Sequence, residues 1–235
     1  MRKLILISAL LFSFNGLAYN ETDLAKFKAL NACMDCDLSG ADLSDANFTG
    51  ARLTGANLEG TNLSSAILTG ANLEDTNLSS AILTGANLED TNLSSAILTG
   101  AVLERATLTD ANLTVATLIG ANFTGANLNG TNLTGANLTG ANLNGTNLSS
   151  AILFNADFSS ATLIGANLDR AVSLDANFTG ANLIGANFTG ANLTGANLTG
   201  VDFTFALSLR NANLDSAKFC KTQMPWGEVN DDCAK

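Results

Sequence analysis

The sequence repeats with a period of five residues over most of its length. Steps of five from Leu38 to Phe203 give 34 positions, all of them Leu or Phe except Ser173. The residue two places before each Leu is small, usually Ala, and the residue between them is usually Asn. The residue after Leu is mostly Ser, Thr, Asn or Glu, and the next residue is mostly Gly, Ser or Asp. The repeating unit therefore reads A-N-L-T-G.

A period of five matches neither a helix nor a continuous strand. Every fifth side chain can point the same way only if the chain turns a corner every five residues. Four corners close a square layer of 20 residues, and layers stack at strand spacing, about 4.8 Å. Leu, Phe and Ala then point inward. Since no single layer buries its own apolar ring, stability comes from stacking, and nine layers make a rod roughly 40 Å long.

This pattern resembles the pentapeptide-repeat family over residues 36–219. The resemblance implies an all-β solenoid, a right-handed quadrilateral β-helix. We therefore predict four segments: a signal peptide (1–18), an N-terminal helical cap (19–35), the repeat β-helix (36–219) and a C-terminal disulfide cap (220–235).

The N-terminus is typical of a signal peptide. Arg2 and Lys3 precede an apolar run from Leu4 to Phe14, and small residues follow up to Ala18. We expect an exported protein, periplasmic or secreted, or in the thylakoid lumen if cyanobacterial, without membrane insertion once the signal is removed. Removal would change the net charge from −10 to −12, which argues against binding to nucleic acid or anionic lipid.

The two ends of the rod differ from the repeat, as a solenoid requires. From Thr22 to Asn31, Leu24, Phe27 and Leu30 have helical spacing, so we expect a short helix over the first layer. Beyond the rod, the segment 224–227 (Met-Pro-Trp-Gly) predicts a turn within a small hairpin over the last layer. After Phe203 the five-residue phase slips by one, which we interpret as the start of the cap.

Four cysteines lie outside the uniform repeat, at positions Cys33, Cys36, Cys220 and Cys233. An even number in an exported chain suggests disulfides. The rod separates the two pairs by far more than the roughly 7 Å between Cα atoms that a disulfide tolerates. We therefore predict Cys33–Cys36 and Cys220–Cys233. The head of the repeat, from Cys33 to Leu43, resembles family members that carry a similar Cys-flanked tail.

Nothing in the sequence indicates catalysis, and we predict a non-enzymatic protein with no cofactor and no metal. The chain has no His, and a packed rod offers no cleft for acid–base chemistry. Zinc binding is disfavoured because the two Cys pairs are too far apart to share an ion. A thiol redox protein using Cys33 and Cys36 is a weak alternative, since the motif follows a helix and lacks a βαβ context.

Two surface features remain. Outward Asn residues recur at 20-residue intervals and should form an amide ladder along one side: Asn127, Asn147, Asn167 and Asn187. Ile152 and Val172, and Phe154 and Leu174, are outward positions 20 apart, which predicts a compact apolar patch on an otherwise polar rod. Because Ser173 occupies an inward position, the alternative is a local bulge in which Leu174 swings inward.

We expect a structural or interaction scaffold for a protein partner, with self-association through the patch as one form of it. A nucleic-acid-mimic inhibitor of a topoisomerase, as in quinolone-resistance members of the family, is the alternative. The signal segment contradicts its cytoplasmic location, and the acids are scattered. Glu59, Glu74, Glu89 and Glu104 recur in every third pentapeptide and so spiral around four different sides.

Overall fold

The computed structural model describes residues 19–231 and Cys233. The described chain opens with the helix α1, Glu21–Leu30. Asn20 caps its start, because the Asn20 side chain accepts hydrogen bonds from the backbone N–H groups of Thr22 and Asp23. The helix ends at Asn31, whose backbone is left-handed. The predicted signal peptide lies outside the described residues.

From α1 onward the chain winds into a regular solenoid. Isolated parallel bridges join residues 20 apart, beginning with Ala32 and Arg52, and follow one another every five residues. Each turn therefore has four sides of five residues, as the period predicts. The inward Leu and Phe side chains and the small residues before them form one continuous buried core. The bridges run from Ala32 to Gln223 and so extend a few residues into both predicted caps.

The backbone of each five-residue side uses its N–H groups in one fixed way, as residues 137–141 show. Asn137 donates to the layer below, and Leu138 and Gly140 donate to the layer above. Ala141 donates to the carbonyl of Leu138, 3.0 Å away, and closes the corner. The remaining N–H, that of Thr139, donates to the side-chain oxygen of Asn137 at 3.0 Å. Asn before Leu is therefore a turn cap as well as an outward side chain.

Each corner places one residue in the left-handed region, most often Gly, with Ser and Asp at many of the others. Two corners carry side chains for which this backbone is costly. Val115 has φ 53° and is 56% exposed, and Phe205 has φ 59° and is 78% exposed. A left-handed backbone costs a residue with a Cβ roughly 1–2 kcal/mol.

The N-terminal cap covers the first layer mainly through one aromatic contact. Phe27 is fully buried, and its ring lies 4.5 Å from that of Phe48. Leu24 packs against the same core while remaining partly exposed. The expectation that Leu30 joins them is wrong, since Leu30 is 66% exposed. It is the last helical residue, and the left-handed Asn31 turns the chain away behind it.

The C-terminal end confirms the predicted phase slip. Asn187 still bridges Leu207 at the regular spacing of 20, but Asn192 bridges Asn213 at a spacing of 21. A short 3-10 helix, Leu209–Asn211, takes up the extra residue and buries Leu209. Two antiparallel strands, β1 (Thr222–Met224) and β2 (Gly227–Val229), then form the expected hairpin.

Deleting residues 20–31 should make the rod associate end to end. The deletion exposes the first inward ring (Leu38, Leu43, Phe48, Leu53) and the open strand edge beside it, which invites pairing with another chain. We expect light scattering to show oligomers that grow with concentration. A monomeric truncated protein at high concentration would show that α1 does not protect this end.

Leu138→Ala should lower stability by about 2–5 kcal/mol, because Leu138 is fully buried and its loss leaves a cavity. Asn137→Ala should cost only about 0.5–1.5 kcal/mol, because it removes one acceptor oxygen at the rod surface, which bonds the backbone N–H and the hydroxyl of Thr139. Urea midpoints of the two variants measure the difference. Equal shifts would mean that the inward and outward positions have been assigned wrongly.

Candidate protein-interaction surface

The four predicted patch residues lie together on one side of two adjacent layers. Ile152 bridges Val172, and the backbone N–H of Asn155 donates to the carbonyl of Leu174 at 3.0 Å, which sets Phe154 beneath Leu174. Ile152 is 36% and Phe154 37% exposed, and the other two are half-buried. We call these four residues the apolar patch.

The apolar patch differs from the rest of the rod in composition. Within the described repeats, it is the one place where both outward columns, the position before and the position after the inward residue, are apolar in two neighbouring layers. Arg170 precedes it at one corner and Asp175 follows it at the next, and both are exposed. An apolar centre with a charged rim is the usual anatomy of a protein interface.

Within the apolar patch, the alternative of a bulge at Ser173 is wrong. Val172 bridges Ile152 on one side and Asn192 on the other at the normal 20-residue spacing, so the register continues without a break. Ser173 is fully buried in the inward position, and Leu174 remains outside. The inter-layer hydrogen bonds hold the backbone phase more strongly than one Leu side chain could shift it.

Ser173 is buried without a hydrogen bond. Its hydroxyl has no partner among the described residues. Buried Thr residues at the small inward position differ, since the Thr61 and Thr146 hydroxyls donate to backbone carbonyls at 3.0 and 2.8 Å. An unpaired buried hydroxyl costs stability and gives the fold nothing in return.

The predicted amide ladder is present, and it has a direction. Each side-chain amide donates to the side-chain oxygen in the layer before it: Asn147 to Asn127 (3.0 Å), Asn167 to Asn147 (3.2 Å) and Asn187 to Asn167 (2.9 Å). On two other sides, shorter contacts of the same kind end at a carboxylate in the first layer. Asn57 donates to Asp37 and Asn62 to Asp42.

A carboxylate suits the first position of a ladder because it only accepts hydrogen bonds. The hydroxyl and backbone N–H of Ser39 lower the pKa of Asp37, against an opposing effect of burial, and Asn57 lowers it further. The corresponding groups of Ser44 lower the pKa of Asp42 in the same way. These residues are explained by the ladder, so they do not indicate an active site.

Both disulfides are present, with Cα–Cα distances of 5.4 Å for Cys33–Cys36 and 4.7 Å for Cys220–Cys233. Cys33 is fully buried and Cys36 is 4% exposed, beneath α1. Asp23 brings a carboxylate oxygen within 4.8 Å of both sulfurs, but disulfide sulfurs are not the thiolates that bind metals. The geometry therefore favours a structural role for this pair over redox chemistry.

The chain matches a family model described as pentapeptide repeats, in eight copies, over residues 33–70, 56–94, 71–110, 96–135, 131–170 and 175–206. These ranges cover well over half of the chain. The protein belongs to the pentapeptide-repeat family. Among curated protein sequences, none gives a significant match.

Several solved structures of pentapeptide-repeat proteins are similar to the chain. QnrB1, a plasmid-mediated fluoroquinolone resistance protein, is 24% identical, with coverage of 75% of this chain and 88% of that chain and a TM-score of 0.50. HetL from the cyanobacterium Nostoc sp. strain PCC 7120, involved in heterocyst differentiation regulation, is 30% identical (90% and 100% covered, TM-score 0.38). A thylakoid-lumen protein of Arabidopsis thaliana is 35% identical (50% and 68% covered, TM-score 0.16).

Family membership makes the solenoid of this pentapeptide-repeat protein a right-handed quadrilateral β-helix. The register also distributes the recurrent acids as expected. Glu59, Glu74, Glu89 and Glu104 each follow the inward Leu of a different side. No helix in the described residues is long and apolar enough to cross a membrane.

Ser173→Ala should raise stability by about 1 kcal/mol, because it removes a buried hydroxyl that has no partner. Ser79→Ala is the matched control. The Ser79 hydroxyl donates to Asn77 at 2.6 Å, so its loss should lower stability slightly. Thermal and urea unfolding measure the increase in stability expected for Ser173→Ala and the decrease expected for Ser79→Ala. A destabilised Ser173→Ala protein would show that this hydroxyl has a stabilising role within the rod.

Proposed function

We propose that this pentapeptide-repeat protein is an exported, non-enzymatic scaffold that binds a protein partner through the apolar patch. The observation that carries the proposal is the patch itself. Ile152, Phe154, Val172 and Leu174 lie in register on two adjacent layers, and the positions they occupy elsewhere carry mostly polar residues. These side chains lie outside the inward positions that form the core.

The apolar patch replaces side chains that usually cap the turns, and this loss of hydrogen bonds supports a role for the patch in binding. With Ile152 and Val172 in place of Asn, the N–H groups of Phe154 and Leu174 lack the usual side-chain cap. A partner that covers the patch would remove its apolar surface from water at about 25 cal/mol per Å². Phe154 is the natural anchor, since aromatic residues at the centre of an interface carry much of the binding energy.

Two features support export and a non-enzymatic role. Disulfides persist in oxidising compartments, and this chain has one at each end of its rod. The sequence of residues 1–18 is typical of a signal peptide. Among the described residues, the interior is filled mainly by Leu, Phe and Ala, whose side chains carry no group for acid–base or nucleophilic chemistry.

Phe154→Asn should weaken partner binding and leave thermal stability nearly unchanged. Ile164→Asn is the matched control, because Ile164 follows an inward Leu on another side and is 42% exposed. With tagged rods as bait in the exported fraction, we expect a partner that wild type and Ile164→Asn retain and Phe154→Asn loses. Calorimetry with the purified partner then gives the change in affinity.

The opposite pattern would contradict the proposal. A large loss of stability in Phe154→Asn with association intact would mean that Phe154 belongs to the fold. Self-association lost in the same variant would identify the partner as a second copy. Mass spectrometry of the mature protein tests export separately, since removal of residues 1–18 leaves Tyr19 as the first residue.

A further inference from the structure

The C-terminal end of the rod contains a groove of about 310 Å³, on a different side from the apolar patch. Its apolar walls come from Ala206 and Leu209 in one layer and from Pro225 and Trp226 in the hairpin turn above. Arg210 adds a polar edge. The volume lies at the small end of the range that holds a ligand or one large side chain. The last corner of the solenoid and the hairpin together build this groove.

Phe205 lies at the corner of the solenoid next to this groove, and it has two unfavourable features. Its backbone is left-handed, where the repeat elsewhere mostly uses Gly, Ser or Asp, and its side chain is 78% exposed. The bridge between Asp202 and Gln223 aligns this corner with the hairpin turn that carries Trp226, which is 47% exposed. Phe205 precedes Ala206, which lines the groove, so a strained and exposed aromatic residue lies beside this concave site.

Arg210 supplies a positive charge that is already positioned. Its guanidinium lies 4.5 Å from the centre of the Trp226 ring, a cation–π contact that holds the side chain in place. No carboxylate of the described residues lies within ion-pair distance of it, so its N–H groups remain available as donors. A carboxylate is the group that a guanidinium fork binds best.

The charge of this end also differs from that of the rod. Residues 205–235 carry four bases and four acids, whereas residues 53–204 carry two bases and eleven acids. An acidic ligand that the rest of the rod repels is therefore tolerated here.

We propose that this groove binds a peptide segment of another protein that presents an apolar or aromatic side chain next to a carboxylate. The side chain would enter between Trp226 and Leu209, beside the corner at Phe205, and the carboxylate would pair with Arg210. A second copy of this chain is a poorer occupant, because a two-fold contact through the groove would bring two Arg210 side chains together. This site is independent of the apolar patch and of the function proposed for it.

Binding can be measured by the fluorescence of Trp226, since the chain contains one Trp. The probe is an acetylated and amidated tetrapeptide of sequence AFEA, and AFQA is its uncharged match. We expect AFEA to bind about fivefold more tightly than AFQA, as a single exposed ion pair allows. Arg210→Gln should abolish that preference, and Phe154→Asn should leave it unchanged.

The variant Phe205→Gly distinguishes an effect on peptide binding from an effect on stability. It relieves the left-handed strain, so thermal stability should rise while AFEA binding weakens by about fivefold. Val115→Gly relieves the same strain far from the groove and should stabilise the protein without any effect on binding.

Three results would overturn the proposal. The first is equal binding of AFEA and AFQA to the wild-type protein, or no binding of either. The second is N-acetylphenylalanine binding as tightly as AFEA, which would indicate a site for small carboxylic acids. The third is dimerisation in sedimentation experiments that Phe205→Gly abolishes, which would assign the groove to a second copy.

Discussion

The backbone hydrogen bonds between layers are the interaction on which the rest of this structure depends. In the five residues around Leu138, three N–H groups bond to neighbouring layers, one closes the corner, and one is capped by Asn137. A single layer therefore satisfies only two of these five N–H groups by itself, and each layer depends on its neighbours for stability. The same rule explains why both ends carry structure of a different kind, a helix at one and a hairpin at the other.

These bonds also explain where the sequence can vary. Inward positions must fill a fixed space, so 33 of the 34 between Leu38 and Phe203 are Leu or Phe. Ser173 shows that the register survives even the loss of that side chain, because the layers on both sides still hold its backbone. The extra residue near Leu209 occurs only in the last layers, where few further bonds depend on it. Outward positions are constrained mainly by the Asn that caps most turns, which leaves the others free to carry a binding surface.

Much of the fold follows from the sequence because the five-residue period determines the geometry of the solenoid. It predicts the four-sided layer, the inward positions and the alignment of Ile152 with Val172. Two details could not be predicted in this way. Leu30 has the helical spacing of Phe27, but the left-handed turn at Asn31 leaves it exposed. Asn137 caps its turn because its side-chain oxygen accepts a hydrogen bond from the backbone N–H of Thr139. Counting inward and outward positions does not reveal this bond.

The apolar patch and the C-terminal groove differ in how far the sequence reveals them, and the reason is register. The patch lies where the regular spacing holds, so counting alone brings its four residues together. The groove lies at the extra residue within Leu209–Asn211 and beneath the hairpin turn, in the part of the chain where Asp202 pairs with Gln223 at a spacing of 21. In the sequence, Trp226 belongs to a predicted turn, and Phe205 lies just after Phe203, the last regular inward position. Only the shifted register and the hairpin place Arg210 over Trp226, so a break in a repeat is where a solenoid can build a concave site that its regular layers cannot.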